Sequence, residues 1–100
     1  MKKDKPRPYQ FAKAINGDLE EAFNNLSFQI MKDGALSTRE KTLIALACAV
    51  AVKCKQCIKA HEKKAQEEGC SREEILEAAA VAGQVRLGSG FTFASYLLEE

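Results

Sequence analysis

Two cysteines and one histidine occur close together in the middle of the chain, as Cys54-Lys55-Gln56-Cys57 followed by His61. On one helix these three side chains would fall within a sector of about 60°. A helix N-terminus lowers the pKa of a thiol, and an imidazole one turn away can accept its proton. The spacing is therefore typical of a dithiol redox centre, in which one thiolate attacks a disulfide or a peroxide and the second thiol closes an internal disulfide.

Glu40 is a fourth candidate for this centre. On its predicted helix it shares a side with Leu43, Ile44 and Ala47, and a carboxylate on a buried edge needs a partner. It could relay protons to His61. It could instead do no more than complete a capping box with Ser37, which is the commoner role at such a position.

Start and stop signals divide the chain into about five helices without a strand pairing pattern. The capping-box sequence occurs twice, at Ser37–Glu40 and at Ser71–Glu74. The first predicted helix covers residues 18–32, with Asp18 as its N-cap and Gly34 closing it. The second runs from the first capping box to Val52, and the third from Cys54 to Glu68, before the stop at Gly69. The fourth runs from the second capping box to a break at Gly88-Ser89-Gly90, and the last covers Phe91 to Leu98. The dithiol is thus predicted at a helix N-terminus, and the fold class is a single-domain, all-α helical bundle of five to six helices.

Length and composition are consistent with one soluble domain. The chain has 100 residues, 46% hydrophobic and 29% charged, with a net charge of +1, so neither nucleic acid nor a membrane surface is an expected partner. The longest apolar run, Leu43 to Val52, is half of a membrane span. Residues 1–8 are predicted to form a flexible arm and residues 9–100 the helical domain. Without a secretory signal, a cytoplasmic location is expected.

The other cysteines raise the alternative of a metal site. Cys54, Cys57 and His61 could provide three ligands, with Cys48 or Cys70 as a fourth. The ligands would lie along one helix face, however, whereas structural zinc sites draw on separate elements. No metal and no cofactor are therefore predicted; Cys48 is expected to be a small buried hydrophobe and Cys70 a bystander at a helix junction.

Five lysines surround the motif. They are most simply a solvated face, but they could also lower the pKa of the thiols or steer an anionic reductant. They are Lys53, Lys55, Lys59, Lys63 and Lys64.

Arg39-Glu40, the alanine-rich run from Leu43 to Val52, and Cys54-x2-Cys57-Ile58-x2-His61 together resemble the signature of the alkyl hydroperoxidase D-like (AhpD-like) branch of the carboxymuconolactone decarboxylase superfamily. The matching segment covers Leu36 to about Gly90. Decarboxylase members lack the paired cysteines, so the dithiol points to the redox branch.

The resemblance implies an all-helical fold that assembles into trimers or hexamers, with a hexamer favoured, and thiol-dependent reduction of hydroperoxides. It implies that Cys57 attacks the peroxide, that Cys54 resolves the product and exchanges with a dithiol reductant of lipoyl, thioredoxin-like or glutaredoxin-like type, and that His61 and Glu40 form a proton relay. The competing hypothesis is a non-enzymatic helical assembly module whose dithiol is a redox switch.

This sequence departs from the best-known members of the branch in three ways. A relay histidine between their cysteines is Gln56 here, and their glutamate lies two residues nearer to the motif than Glu40. Those enzymes also contain two helical units per chain. This chain has room for one, so a neighbouring subunit is expected to supply the rest.

Overall fold

The computed structural model describes residues 5–99, which are helical almost throughout and contain no strand. The predicted all-α fold is confirmed. The helices are α1 (Arg7–Ile15), α2 (Gly17–Met31), α3 (Thr38–Ala51), α4 (Lys55–Glu67) and α5 (Arg72–Ala94), followed by a 3₁₀ turn at Ser95–Leu98.

Both predicted capping boxes are present. Ser37 Oγ accepts the Glu40 N–H at 3.0 Å, and Glu40 Oε1 accepts the Ser37 N–H at 2.8 Å. At the start of α5, the corresponding distances between Ser71 and Glu74 are 3.1 and 2.7 Å. These reciprocal bonds satisfy N–H groups that have no partner inside a helix, and they set the first residues of α3 and α5.

The N-terminal boundary differs from the prediction. Helix α1 begins at Arg7, so residues 7 and 8 belong to a helix and not to the predicted arm, whose residues 1–4 lie outside the described part of the chain. Pro8 is compatible with this helix because the N–H groups of a first turn have no helical partner.

Helix α2 begins and ends earlier than predicted. Its N-cap is Asn16, whose Oδ1 accepts the Leu19 N–H at 2.7 Å, and Asp18 lies in the first turn. The helix ends at Met31, before Gly34. Lys41 on α3 donates to the carbonyls of Ile30 and Lys32, at 2.8 and 2.6 Å, so a side chain from the next helix holds this end.

The predicted break at Gly88-Ser89-Gly90 is wrong, because α5 continues through it to Ala94. Glycine in a helix interior costs roughly 1 kcal/mol but keeps its backbone hydrogen bond. The predicted closing helix is therefore partly the end of α5 and partly the 3₁₀ turn.

The core lies where α3 packs against α4 and α5. Its buried members are Leu46, Ala65, Cys70 and Ile75, with Leu43 and Ile58 packed against them. Helices α1 and α2 pack on each other, with the rings of Tyr9 and Phe23 edge to face at 4.8 Å. Cys70 is thus a core residue, located at the helix junction where it was predicted, and its lack of a chemical role stays a prediction.

The chain is elongated, and the second half of α5 extends beyond the core. The radius of gyration is 16.7 Å, against about 13 Å for a compact chain of this length. Phe91 is 73% exposed and Leu97 88% exposed. Further large apolar side chains are exposed along the same segment, namely Val81, Val85, Leu87, Phe93, Tyr96 and Leu98. None of the helices within residues 5–99 has the length and apolar character needed to cross a membrane.

Candidate dithiol site

Cys54 and Cys57 form a disulfide at the N-terminus of α4, with their Cα atoms 5.2 Å apart. Cys54 is the N-cap residue, and its Sγ accepts the Cys57 N–H at 3.2 Å. The predicted position of the motif is confirmed. Both cysteines are half-buried. Once the disulfide is reduced, the N–H directed at Cys54 Sγ and the helix dipole both favour a thiolate at Cys54.

The turn before the motif holds Cys54 in place from the other side. Helix α3 ends in two backbone bonds, from the Lys53 N–H to the Val50 carbonyl at 3.1 Å and from the Cys54 N–H to the Ala49 carbonyl at 3.0 Å. This is a Schellman motif, and it requires a left-handed residue, which is Lys53 at φ 59°. Cys54 is therefore the last residue of this Schellman motif and also the N-cap of α4.

The junction between α4 and α5 has the same geometry. The Gly69 N–H donates to Gln66 and the Cys70 N–H to Ala65, at 3.1 and 2.9 Å. Gly69 occupies the left-handed position at φ 83°, as its prediction as a helix stop requires. The two turns differ in that glycine takes this position in one and Lys53 in the other.

His61 lies on α4 one turn after Cys57, so the two side chains face the same side of the helix. It is half-buried, and burial lowers the pKa of its imidazole below the usual value of 6.5. At neutral pH the imidazole is therefore mainly neutral and can accept a thiol proton.

Glu40 is exposed, so its expected place on a buried edge is wrong. The hydrogen bonds with Ser37 lower the pKa of its carboxyl group. Within residues 5–99 no direct hydrogen bond or ion pair joins Glu40 to His61. Two residues nearer to the dithiol, where the resemblance places the glutamate, Thr42 is fully buried and its hydroxyl donates to the Thr38 carbonyl at 2.8 Å.

Arg39 has a role that the sequence analysis missed. It donates a hydrogen bond to Glu74 Oε1, which joins the start of α3 to the start of α5. Together with the Ser71 N–H, this contact lowers the pKa of Glu74 to about 2. The sequence signal was an arginine beside a capping box, but nothing local identified a partner 35 residues away.

The two remaining cysteines differ in burial. Cys48, expected to be buried, is exposed, while Cys70 is buried. Cys48 points away because Leu46 and Ala49 provide the buried side of α3. In the part of the chain that the structure describes, no three side chains among His, Cys, Asp and Glu form a group suited to a metal ion.

The comparisons with known proteins agree with this architecture. The sequence profile of the carboxymuconolactone decarboxylase family matches residues 17–100. The "uncharacterized protein 4 in cox locus" of Paracoccus denitrificans is 41% identical over 80 residues, which cover 80% of this chain and 72% of that protein. Alkyl hydroperoxide reductase AhpD of Corynebacterium kroppenstedtii is 27% identical over 78% of this chain and 45% of its own length. A crystal structure of a Methanobacterium thermoautotrophicum protein superposes with a TM-score of 0.79 at 39% identity, over 87% of this chain and 97% of the other.

Proposed function

The chain belongs to the carboxymuconolactone decarboxylase family, in its AhpD-like branch, and on this basis we propose that it is a thiol-dependent peroxidase that reduces hydroperoxides through a Cys54–Cys57 dithiol–disulfide cycle. The observation that carries the proposal is the pairing of these cysteines at a helix N-terminus, one turn before His61. The Corynebacterium relative is named as an alkyl hydroperoxide reductase, which agrees with this substrate class.

In the proposed cycle, His61 accepts the proton of Cys57, and the Cys57 thiolate attacks the O–O bond of the hydroperoxide. The products are an alcohol, which takes up a proton, and a sulfenic acid at Cys57. The Cys54 thiolate then attacks the Cys57 sulfur, and hydroxide leaves and is protonated to water. Two electrons pass from the dithiol to the peroxide. A dithiol reductant of lipoyl, thioredoxin-like or glutaredoxin-like type returns them.

The geometry around Cys54 suits the resolving role. Its Sγ receives the Cys57 N–H at 3.2 Å, which stabilises the thiolate that must attack the sulfenic acid. His61 remains neutral because it is half-buried, so it suits the role of base for Cys57. Glu40 stays a proposed relay member, and its hydrogen bonds in the structure are with Ser37.

Peroxide turnover with cysteine variants tests this function. With a dithiol donor and cumene hydroperoxide, the native chain should cycle repeatedly. Cys57→Ser should abolish turnover, whereas Cys54→Ser, given peroxide in the absence of the donor, should consume about one peroxide per chain and trap a sulfenic acid at Cys57. Cys48→Ser, which changes an exposed thiol outside the motif, is the matched control and should keep full turnover. One oxidation by the native chain followed by no cycling would favour the redox-switch alternative.

We also propose that the chain works as a closed homo-oligomer, with the hexamer favoured by resemblance. Its accessible surface is 7897 Å², whereas a compact monomer of 11.0 kDa exposes about 5,600 Å². The surplus of about 2,300 Å² exceeds the roughly 800 Å² that each partner contributes to a standard interface. The second half of α5 exposes large apolar side chains, among them Phe91 and Phe93.

Light scattering tests the assembly. A mass six times that of the chain is expected, and Phe91→Glu should lower it because a charge would be buried at the interface. Lys13→Glu is the matched control on the exposed surface of α1. A stable monomer of the native chain at micromolar concentration would refute the proposal.

A further inference from the structure

Two exposed lysines flank Cys54 directly in the sequence. They are Lys53 and Lys55, and between Glu40 and Glu62 the chain has no carboxylate. Within residues 5–99 no ion pair involves Lys53 or Lys55, whereas Lys59, 3.8 Å from Glu62, lies on the side of α4 opposite the two cysteines. The positive end of the α4 dipole adds to the same field.

Lys53 is there at a conformational cost. Its φ of 59° lies in the left-handed region, which side chains disfavour and glycine adopts freely. The corresponding position in the second Schellman turn is Gly69. The chain thus carries a long cationic side chain next to Cys54 at a position where glycine would relieve strain, and strain of this kind concentrates at functional sites.

Next to these charges lies an exposed apolar side chain. Val52, the C-cap of α3, is 73% exposed. The half-buried disulfide is therefore bordered by an apolar spot and by cations, an arrangement suited to a macromolecular surface with an apolar centre and acidic edges.

We propose that Lys53 and Lys55, with Val52, form the docking surface for a reductant protein whose own dithiol is bordered by carboxylates. This inference rests on the proposed dithiol cycle and identifies the partner's chemistry. Opposite charges on the two surfaces bring the partner's thiolate to the disulfide.

The docked reaction is an ordinary thiol–disulfide exchange. A thiolate of the reductant bonds to Cys54 Sγ, the Cys54–Cys57 bond breaks, and Cys57 leaves as a thiolate that takes up a proton. The second thiol of the reductant loses its proton and attacks the reductant's other sulfur, which is bonded to Cys54 in the mixed disulfide. The Cys54 thiolate is released. The reductant ends as a disulfide, and two electrons have passed to this chain.

The test uses two synthetic peptides with the same CxxC dithiol, one flanked by glutamates and the other by glutamines. The rate of reduction of the Cys54–Cys57 disulfide, corrected for the thiolate fraction of each peptide, should be roughly three- to tenfold higher for the glutamate peptide at low salt. The advantage should disappear at about 0.5 M salt, where charges are screened within a few ångströms. Dithiothreitol, which is neutral and lacks flanking charges, serves as the reference.

Matched variants locate the effect. Lys53→Gly removes the charge and the strain, so it should lose much of the preference for the acidic peptide while resisting urea better than the native chain. Lys53→Arg keeps the charge and should keep the preference. Lys13→Gln removes one exposed lysine from α1 and should leave the rate ratio unchanged.

Three results would overturn the proposal. One is a rate ratio near one for the native chain at low salt, and another is a ratio that Lys53→Gly and Lys55→Gln leave intact. The third is a change of oligomeric state in these variants, which would place the surface between copies of the chain. If dithiothreitol itself cannot reduce the disulfide, or the reduced chain does not turn over peroxide, the proposed function fails. A reducible, active chain without charge preference would refute only the docking surface.

Discussion

Arg39 at the start of α3 donates a hydrogen bond to Glu74 near the start of α5, and the carboxylate oxygen that receives it also accepts the Ser71 N–H. One side chain thus closes a capping box and joins two helices that are far apart in sequence. Because α3 is the helix against which both α4 and α5 pack, this pair helps to hold the framework on which the dithiol helix rests.

The Arg39–Glu74 pair should make stability depend on pH in acid. Its carboxyl group has a pKa of about 2 in the folded chain, below its ordinary value of 4.5. A depressed carboxyl pKa contributes stability that is fully present above pH 4.5 and is lost as the pH falls toward 2. Urea unfolding at several pH values should show this loss. Glu74→Gln keeps the capping acceptor and should flatten the curve, whereas Glu77→Gln, an exposed residue on the same helix, should leave its shape unchanged.

In the reduced protein, Cys54 should react with iodoacetamide faster than Cys48 at pH 7. Cys48 is the exposed thiol, but it lies in the last two turns of α3, whereas Cys54 caps the N-terminus of α4 and accepts an N–H. If thiolate content decides the rate, the Cys54 rate should reach half of its maximum below pH 8.5. Mass spectrometry after timed alkylation resolves the sites. Faster labelling of Cys48 would mean that exposure governs and that the helix terminus does not tune Cys54.

Replacement of His61 should slow peroxide reduction without unfolding the chain. A positioned general base contributes roughly 10²–10⁴-fold, so His61→Gln should lose that factor in the rate of Cys57 oxidation. Because burial lowers the pKa of His61, the native rate should persist at pH 6.5 and decrease only at lower pH, as the imidazole gains a proton. In the variant, that decrease should be absent and the rate should follow thiol ionisation at higher pH. An unchanged rate would remove His61 from the mechanism.

Glu40→Gln separates the relay from the helix cap. Glutamine can still accept the Ser37 N–H, so the melting temperature should change little. A relay carboxylate should lose at least about tenfold in peroxide rate on this change. Ser37→Ala is the complementary variant, since it breaks the cap and leaves the carboxylate. If Glu40→Gln keeps the native rate, Glu40 serves the start of α3 alone.

Features set by neighbouring residues could be predicted from the sequence. Both capping boxes, the stop at Gly69 and the position of Cys54 at a helix N-terminus depend on hydrogen bonds that reach only a few residues along the chain. The predicted break at Gly88-Ser89-Gly90 was wrong. Each glycine costs a helix only about 1 kcal/mol, and this cost did not end the long helix α5.

Other features were decided by the packing of helices far apart in sequence. The apolar run around Cys48 did not reveal which side of α3 would face α4 and α5. The packing left Cys48 exposed and buried Cys70, which lies between α4 and α5. The partial burial of His61 and the pairing of Arg39 with Glu74 arise in the same way. Periodicity identifies an apolar face, but only the assembled helices determine how much of that face is covered and which distant side chain lies opposite.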